Sequence, residues 1–466
     1  MSNCKFYKKQ QEVKYPGSDD WIPTGQYEKG NLIEEDSPDC GYAPPTPSGY
    51  ADQYFTIWAK EPFSFTFSGT SATTIANTYI EYSTNSGSTW SIMTSGTYIQ
   101  FSPYEKVMIK GNLTPIATQG IGFFHSETSF IAEGNVMSLL YGSNFRNQVN
   151  LNGKNYAFYH LFDRQRGWSN NIVNAENLVL PATILSTHCY DGMFLLCRNL
   201  KYPPKALPAL TLVSNCYYEM FYYCESMKYA PQIMAATMAQ DCCHSMFYNC
   251  QSLTTAPQLP ATTLASWCYM WMFCNCTSLV AAPDLPATRL ENGCYWRMFE
   301  GCTALTKAPS VLPATSLSTQ CYYGMFYGCV SLTNIPSTLP ATTLANQCYA
   351  EMFYGCHSLT TAPSLPATTL TGACYWSMFE DCVNLTSAPV LYAATLKTNC
   401  YLNMFKGCSS LSYIKCLATD MSANGCTNSW VENVAQSGTF VKAISATWSR
   451  GTSGIPDNWT IQDSTS

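Results

Sequence analysis

The chain has 466 residues, of which 12% are charged and 14% aromatic, and its formal net charge is −6. So sparse and acidic a charge set leaves no basic patch for a phosphate backbone, which argues against a nucleic-acid partner, and no run of about 18 apolar residues predicts a membrane span. With 32 Tyr, 11 Trp and only 24 Lys plus Arg, the surface must be covered largely by uncharged polar side chains and Tyr, which suits carbohydrate or protein contacts.

Residues 1–45 are polar and end in "EEDSPDCGYAPPTPSG", a Pro-rich linker by composition. They are expected to form an attachment module. The stretch "MSNCKFYKKQQEVKYPGSDDW" lacks the apolar core of a secretory signal or lipoprotein leader, so none is expected. Cys4 and Cys40 lie in this module, and their pairing is left open.

Residues 46–150 alternate short Tyr/Phe/Ile/Thr runs with turn residues, as in "QYFTIWA", "PFSFTFSG" and "KVMIKGNL". That pattern predicts a small antiparallel β-sandwich-like domain. Within it, Ser83 to Trp90 resembles the Asp-box hairpin, with Asn85 in place of Asp. This motif stabilises a turn in carbohydrate-active and adhesive proteins without itself binding substrate.

From residue 151 to 415 the sequence repeats. One cysteine recurs at Cys189, Cys216, Cys242, Cys268, Cys294, Cys321, Cys348, Cys374 and Cys400, and a second follows each by eight residues, with a Met-Phe pair between them. Counting from the first Cys, the constant residues stand at 0, +1, +4, +5 and +8. At 100° per residue they cover about 140° of a helix, which predicts a short amphipathic helix in each unit. In one unit Cys348, Met352, Phe353 and Cys356 are the structural core. Ser, Thr or Asn at −2 supplies an N-cap, and Gly301, Gly328, Gly355 or Gly407 at +7 a C-terminal stop. A short strand follows, ended by proline.

The few apolar side chains of one unit, at roughly 1.5–3 kcal/mol each, cannot offset backbone ordering at roughly 1–2 kcal/mol per residue. Units must therefore stack. Strands stack about 4.8 Å apart and helices about 10 Å apart, so the expected fold is α+β: a curved solenoid of short helix plus short strand, helices on the convex side. Residues 416–466 are read as a closing cap.

The unit "ATTLANQCYAEMFYGCHSLTTAPSLP" resembles the BspA-like leucine-rich repeats over residues 155–430, with Cys348 where that family carries isoleucine. The assembled order of segments is similar to proteins encoded by gut Bacteroidales and their crAss-like tailed phages. The resemblance implies a virion surface or fibre-type protein made in the host cytoplasm, or a bacterial cell-surface adhesin. It further implies that other virion proteins are met through the N-terminal region. A trimer would fit a fibre, though no coiled-coil heptads support one.

Candidate chemistry is thin. Cysteines eight apart on a helix are about 12 Å apart and those of adjacent helices about 10 Å apart, beyond disulfide reach. They are read as buried structural thiols, and no metal or cofactor is expected. His125, His160, His188, His244 and His357 show no HExxH spacing, and no nucleophile or phosphate-loop motif accompanies them. Glu300, Glu351, Glu380 and Asp381 could be combined as a glycosidase acid pair but are read as solvated helix residues, so no enzyme is expected. A glycan depolymerase is the weaker alternative. The positions that vary between units, +2, +3 and +6, carry Tyr218, Tyr222, Tyr248, Trp271, Trp296, Tyr323, Tyr327, Tyr354 and Trp376. They fall opposite the core, where they either cover neighbouring units or form a platform for host surface polysaccharide or a receptor protein.

Overall fold

The computed structural model describes residues 12–13, 22–23, 49–68, 79–115, 121–163 and 170–464. The chain divides into two units, Met1–Pro45 and Thr46–Ser466. In the first, strands β1 (Glu12–Val13) and β2 (Ile22–Pro23) pair antiparallel. Cys4 and Cys40 lie outside the described residues.

The second unit begins with β3 (Phe55–Trp58), β4 (Phe63–Ser68), β5 (Ile80–Ser83), β6 (Ser91–Ile92), β7 (Ile99–Phe101), β8 (Val107–Gly111) and β9 (Phe123–Asn135). The expected sandwich is replaced by one curled sheet, ordered β6-β5-β8-β3-β9-β4-β7. The reason lies in β9, whose thirteen residues take β4 at one end and β3 nearer the other. In addition, β9 pairs in parallel with β10 (Asn170–Asn174) and β11 (Leu178–Val179), the first strands of the repeat region. No second sheet is needed to cover its apolar side, because the first repeat does so: Phe124 donates its N–H to Leu161 carbonyl, and Phe162 packs on Phe55 and Phe124. Among the described residues the only α-helix is α1 (Ser138–Tyr141), followed by a 3-10 turn at Gly142–Asn144.

The helix-plus-strand solenoid is overturned. Where each repeat was expected to form a helix, it forms a run of overlapping turns. In the Cys348 rung, the N–H groups of Ala350, Met352, Tyr354 and Cys356 bond to carbonyls three residues back, at 3.1–3.3 Å. Those of Tyr349, Glu351, Phe353 and Gly355 instead cross to Cys374, Trp376, Met378 and Glu380 of the next rung, at 2.8–3.1 Å. Donors thus alternate between their own rung and the next. The alternation requires a left-handed residue every fourth position, here Gln347 (φ 55), Glu351 (φ 55) and Gly355 (φ 67), and a helix ladder cannot contain these.

Because rungs bond directly along this side, they are not spaced like helices. The Phe rings of successive rungs stack 5.2–5.8 Å apart, which removes the basis for the expected convex helical side. The other side is also less regular than expected. It has one two-residue pair, β12 (Ala206–Leu207) with β13 (Gln232–Ile233), and elsewhere mostly isolated parallel bridges such as Thr263 with Arg289 and Lys307 with Asn334. The last rungs lead into a parallel sheet of β14 (Tyr413–Cys416), β15 (Thr439–Lys442) and β16 (Thr460–Asp463). There Trp430 ends the ring stack, packed on Tyr401, Phe405 and Trp448.

Candidate functional site

The repeated cysteines, methionines, phenylalanines and +1 tyrosines are buried in one continuous core. The second cysteine of each rung has a definite backbone partner. Its thiol donates to the Phe carbonyl one rung earlier, Cys356 to Phe326 at 3.2 Å, and all nine such bonds measure 3.0–3.2 Å. Burial pushes these thiols up, Cys302 to about 12, so they are protonated and poorly nucleophilic at neutral pH. No group of three or more His, Cys, Asp or Glu is placed to hold a metal among the described residues, and no described helix is long and apolar enough to cross a membrane.

Side chains at the left-handed positions lean onto the following rung, which explains where glycine is required. Gly293 lies beneath Trp267, whose ring atoms would stand 2.0 Å from any added Cβ. Gly324 lies beneath Arg297, and this lets the guanidinium cross a whole rung to Glu351, 2.6 Å away, while also bonding Glu300 at 2.8 Å. Tyr323 donates to the other Glu351 oxygen at 2.8 Å, and burial followed by that bond pushes its phenol up. Glu380 is buried with Lys406 at 3.2 Å. The reading of these glutamates as solvated helix residues is therefore corrected: Glu300 is ion-paired within its own rung, and Glu351 and Glu380 are ion-paired between rungs.

Near the start of the stack, His160 bonds Asp163 and His188 bonds Asp191, both at 2.6 Å, and His244 bonds Asp241 at 3.2 Å. Burial raises the Asp191 and Glu219 carboxyls, and Asp191 adds to the shift on Glu219.

The nine aromatic side chains singled out above lie on this turn face, as contacting groups. Tyr222 stacks on Tyr248 (4.9 Å), Trp296 on Tyr323 (4.5 Å) and Tyr327 on Tyr354 (4.5 Å). Trp376 meets Tyr323 edge-on at 6.5 Å, while Tyr218 and Trp271 pack against His244. Tyr323 is buried and the other eight are half-buried, so each ring spends part of its surface on its neighbours and presents the remainder.

A second face is formed by the extended parts of the rungs. At +12, the hydroxyls of Thr254, Thr306, Thr333 and Thr386 donate to carbonyls one rung back at 3.3–3.4 Å. At −6 and −5, the pairs Thr262-Thr263, Thr342-Thr343 and Thr368-Thr369 are exposed. Sequence reasoning offers the strand side, with its exposed Ser and Thr, as a second and less distinctive candidate but does not single out these positions, although "ATTL" recurs at 261, 341 and 367.

At the other end of the β-sheet region, the Asp-box-like turn is closed by Asn85. Its side-chain oxygen accepts from the Thr89 N–H at 2.9 Å and its amide donates to the Thr89 hydroxyl at 2.8 Å.

No family model matches the chain, and no curated protein matches it. Among solved structures, one match is a leucine-rich repeat protein from Bacteroides ovatus ATCC 8483, with a TM-score of 0.34 and 16% identity, covering 63% of this chain and 78% of that one. A likeness that slight leaves the leucine-rich-repeat reading resting on the repeated residues themselves.

Proposed function

We propose that this chain is a non-catalytic adhesion protein of BspA-like repeat type, whose turn face contacts a surface glycan or protein. One observation carries the reading: the turn backbone is the same from rung to rung, whereas the residues it presents at +2, +3 and +6 vary and are rich in half-buried Tyr and Trp. Amphipathic aromatics held this rigidly offer contact area at little conformational cost. Their varied order along the stack supplies the irregularity that a specific partner needs.

The test is retention on glycan arrays and on immobilised host surface proteins. Wild-type protein is expected to bind, and Trp376→Ala with Tyr354→Ala to weaken it about tenfold, the loss of a modest hot spot. Unchanged binding in that variant would remove the aromatic face from the reading. The finer placement, a fibre or decoration protein of a virion, is supported by the resemblance in segment order. Mass spectrometry of purified particles tests it, and recovery only from bacterial cell envelopes would favour the cell-surface adhesin instead.

A further inference from the structure

We infer a second binding face, separate from the aromatic one: the threonine array at −6 and −5, which takes a neutral, extended polysaccharide lying along the stacking direction. Two threonine columns in the same rungs are used differently. The +12 hydroxyls are consumed by carbonyls of the preceding rung. Those of Thr262, Thr263, Thr342, Thr343, Thr368 and Thr369 have no hydrogen-bond partner among the described residues and point to solvent. Thr315 and Ser316 continue the array in the rung between, and Arg289 is its one charged member.

The array is rigid. Leu264 donates its N–H to Arg289 carbonyl at 2.9 Å and Leu317 to Thr343 carbonyl at 3.0 Å, which fixes the backbone beside the threonines at parallel-strand spacing, about 4.8 Å. Thr is also stiff at χ1. A partner that bonds these hydroxyls therefore orders little further.

Chemistry selects the partner. Arg289 is the one charge of the array, and the charges exposed on the neighbouring extended segments, Asp284, Glu291 and Lys307, are of both signs, so the face has no excess of one sign to attract a polyanion or polycation. Its members are small hydroxyl side chains and one exposed Arg, without the buried aromatic or Arg anchor that dominates protein interfaces. Each threonine instead places a hydroxyl, both donor and acceptor, beside a methyl group, which matches the alternating hydroxyl and C–H edges of sugar rings. Because Thr or Ser recurs at these positions in five successive rungs, with Arg289 the one exception, only a partner that also repeats can use all of them, and each further rung engaged adds avidity. A linear neutral glycan meets both conditions.

The experiment is affinity electrophoresis through gels containing a β-glucan, a mannan or a xylan. Wild-type protein is expected to be retarded by at least one, with long chains competing better than fragments shorter than about three rungs, ~14 Å. Combined Thr263→Glu, Thr343→Glu and Thr369→Glu is expected to cut association about tenfold or more with an unchanged Tm. The near-isosteric valine triple, which removes only hydroxyls, covers the case in which the glutamates perturb folding. Trp376→Ala with Tyr354→Ala, which alters the aromatic face alone, is expected to lower retardation less than either threonine triple. No retardation in any gel, or retardation untouched by both threonine triples, overturns the inference and leaves adhesion through the aromatic face standing. Loss only in the aromatic variant overturns it too and moves glycan binding to that face.

Discussion

Gly324 stands at φ 56 beneath the Arg297 side chain. Alanine there would add a Cβ 2.9 Å from Arg297 Cγ and occupy a left-handed conformation that costs an L-residue roughly 1–2 kcal/mol. Gly324→Ala is expected to lower stability by about that amount in urea unfolding and to displace the guanidinium from Glu351. The pair itself is partly buried and Glu300 keeps Arg297 paired when Glu351 is lost, so Arg297→Met alone should cost more than Arg297→Met with Glu351→Gln, because that single change strands the Glu351 charge. A double-mutant cycle measures this coupling. His125 supplies a pH test. Burial lowers its imidazole from 6.5 to about 4, so between those values the unfolded chain binds the proton that the folded chain refuses. Stability from this group is full above pH 6.5 and falls as pH drops toward 4, by about 3 kcal/mol in all at 1.36 kcal/mol per unit. Comparison of His125→Gln with wild type across that window should show the variant's pH slope flattened by this share.

At the scale of the element, periodicity misled for a specific reason. Constant residues at 0, +4 and +8 and at +1 and +5 fit a period of four at least as well as 3.6, and over nine residues the two barely diverge. The signal that separates them stood at −1, +3 and +7, where Gly293, Asn399, Gly192, Gly324, Asn249 and Gly355 occupy left-handed positions. Only the last column was recognised, as a helix end, and a period-four set of Gly and Asn marks repeated turns instead. The core was legible because burial follows side-chain spacing under either backbone. Backbone conformation was not, because it is decided by bonds between rungs. The corrected spacing also changes the argument about thiols. Rungs stack at 5.2–5.8 Å, so like cysteines of neighbouring rungs come within the 4.4–6.8 Å that disulfides tolerate between Cα atoms. In register, however, their Cβ atoms share that separation and exceed the 3.5–4.5 Å a disulfide needs. The repeat cysteines are therefore expected to stay unreacted with a chromogenic disulfide reagent in the folded protein and to titrate in full only in denaturant. Fast reaction of the native protein would refute the packing.

For the whole molecule, a hydrogen-bonded stack should tolerate loss of a rung but not of part of one. Deletion of residues 268–293 is expected to leave a folded protein by circular dichroism, with a cooperative transition near that of wild type. Deletion of 268–280 should abolish the transition. The candidate sites were legible in part at this scale. The aromatic positions could be named from their variation, but their mutual stacking, the Arg297 crossing and the threonine array needed the rung spacing. The alternation of donors has a last consequence. Along the turns, odd positions speak to the neighbouring rung and even positions to their own, so the run carries a parity. A single inserted residue there would exchange the two sets for the rest of that run, as a shifted reading frame garbles a message. The one-residue length differences between units fall between prolines, as in Pro309 to Pro313 against Pro257 to Pro260, a stretch outside the turn run where no parity is kept.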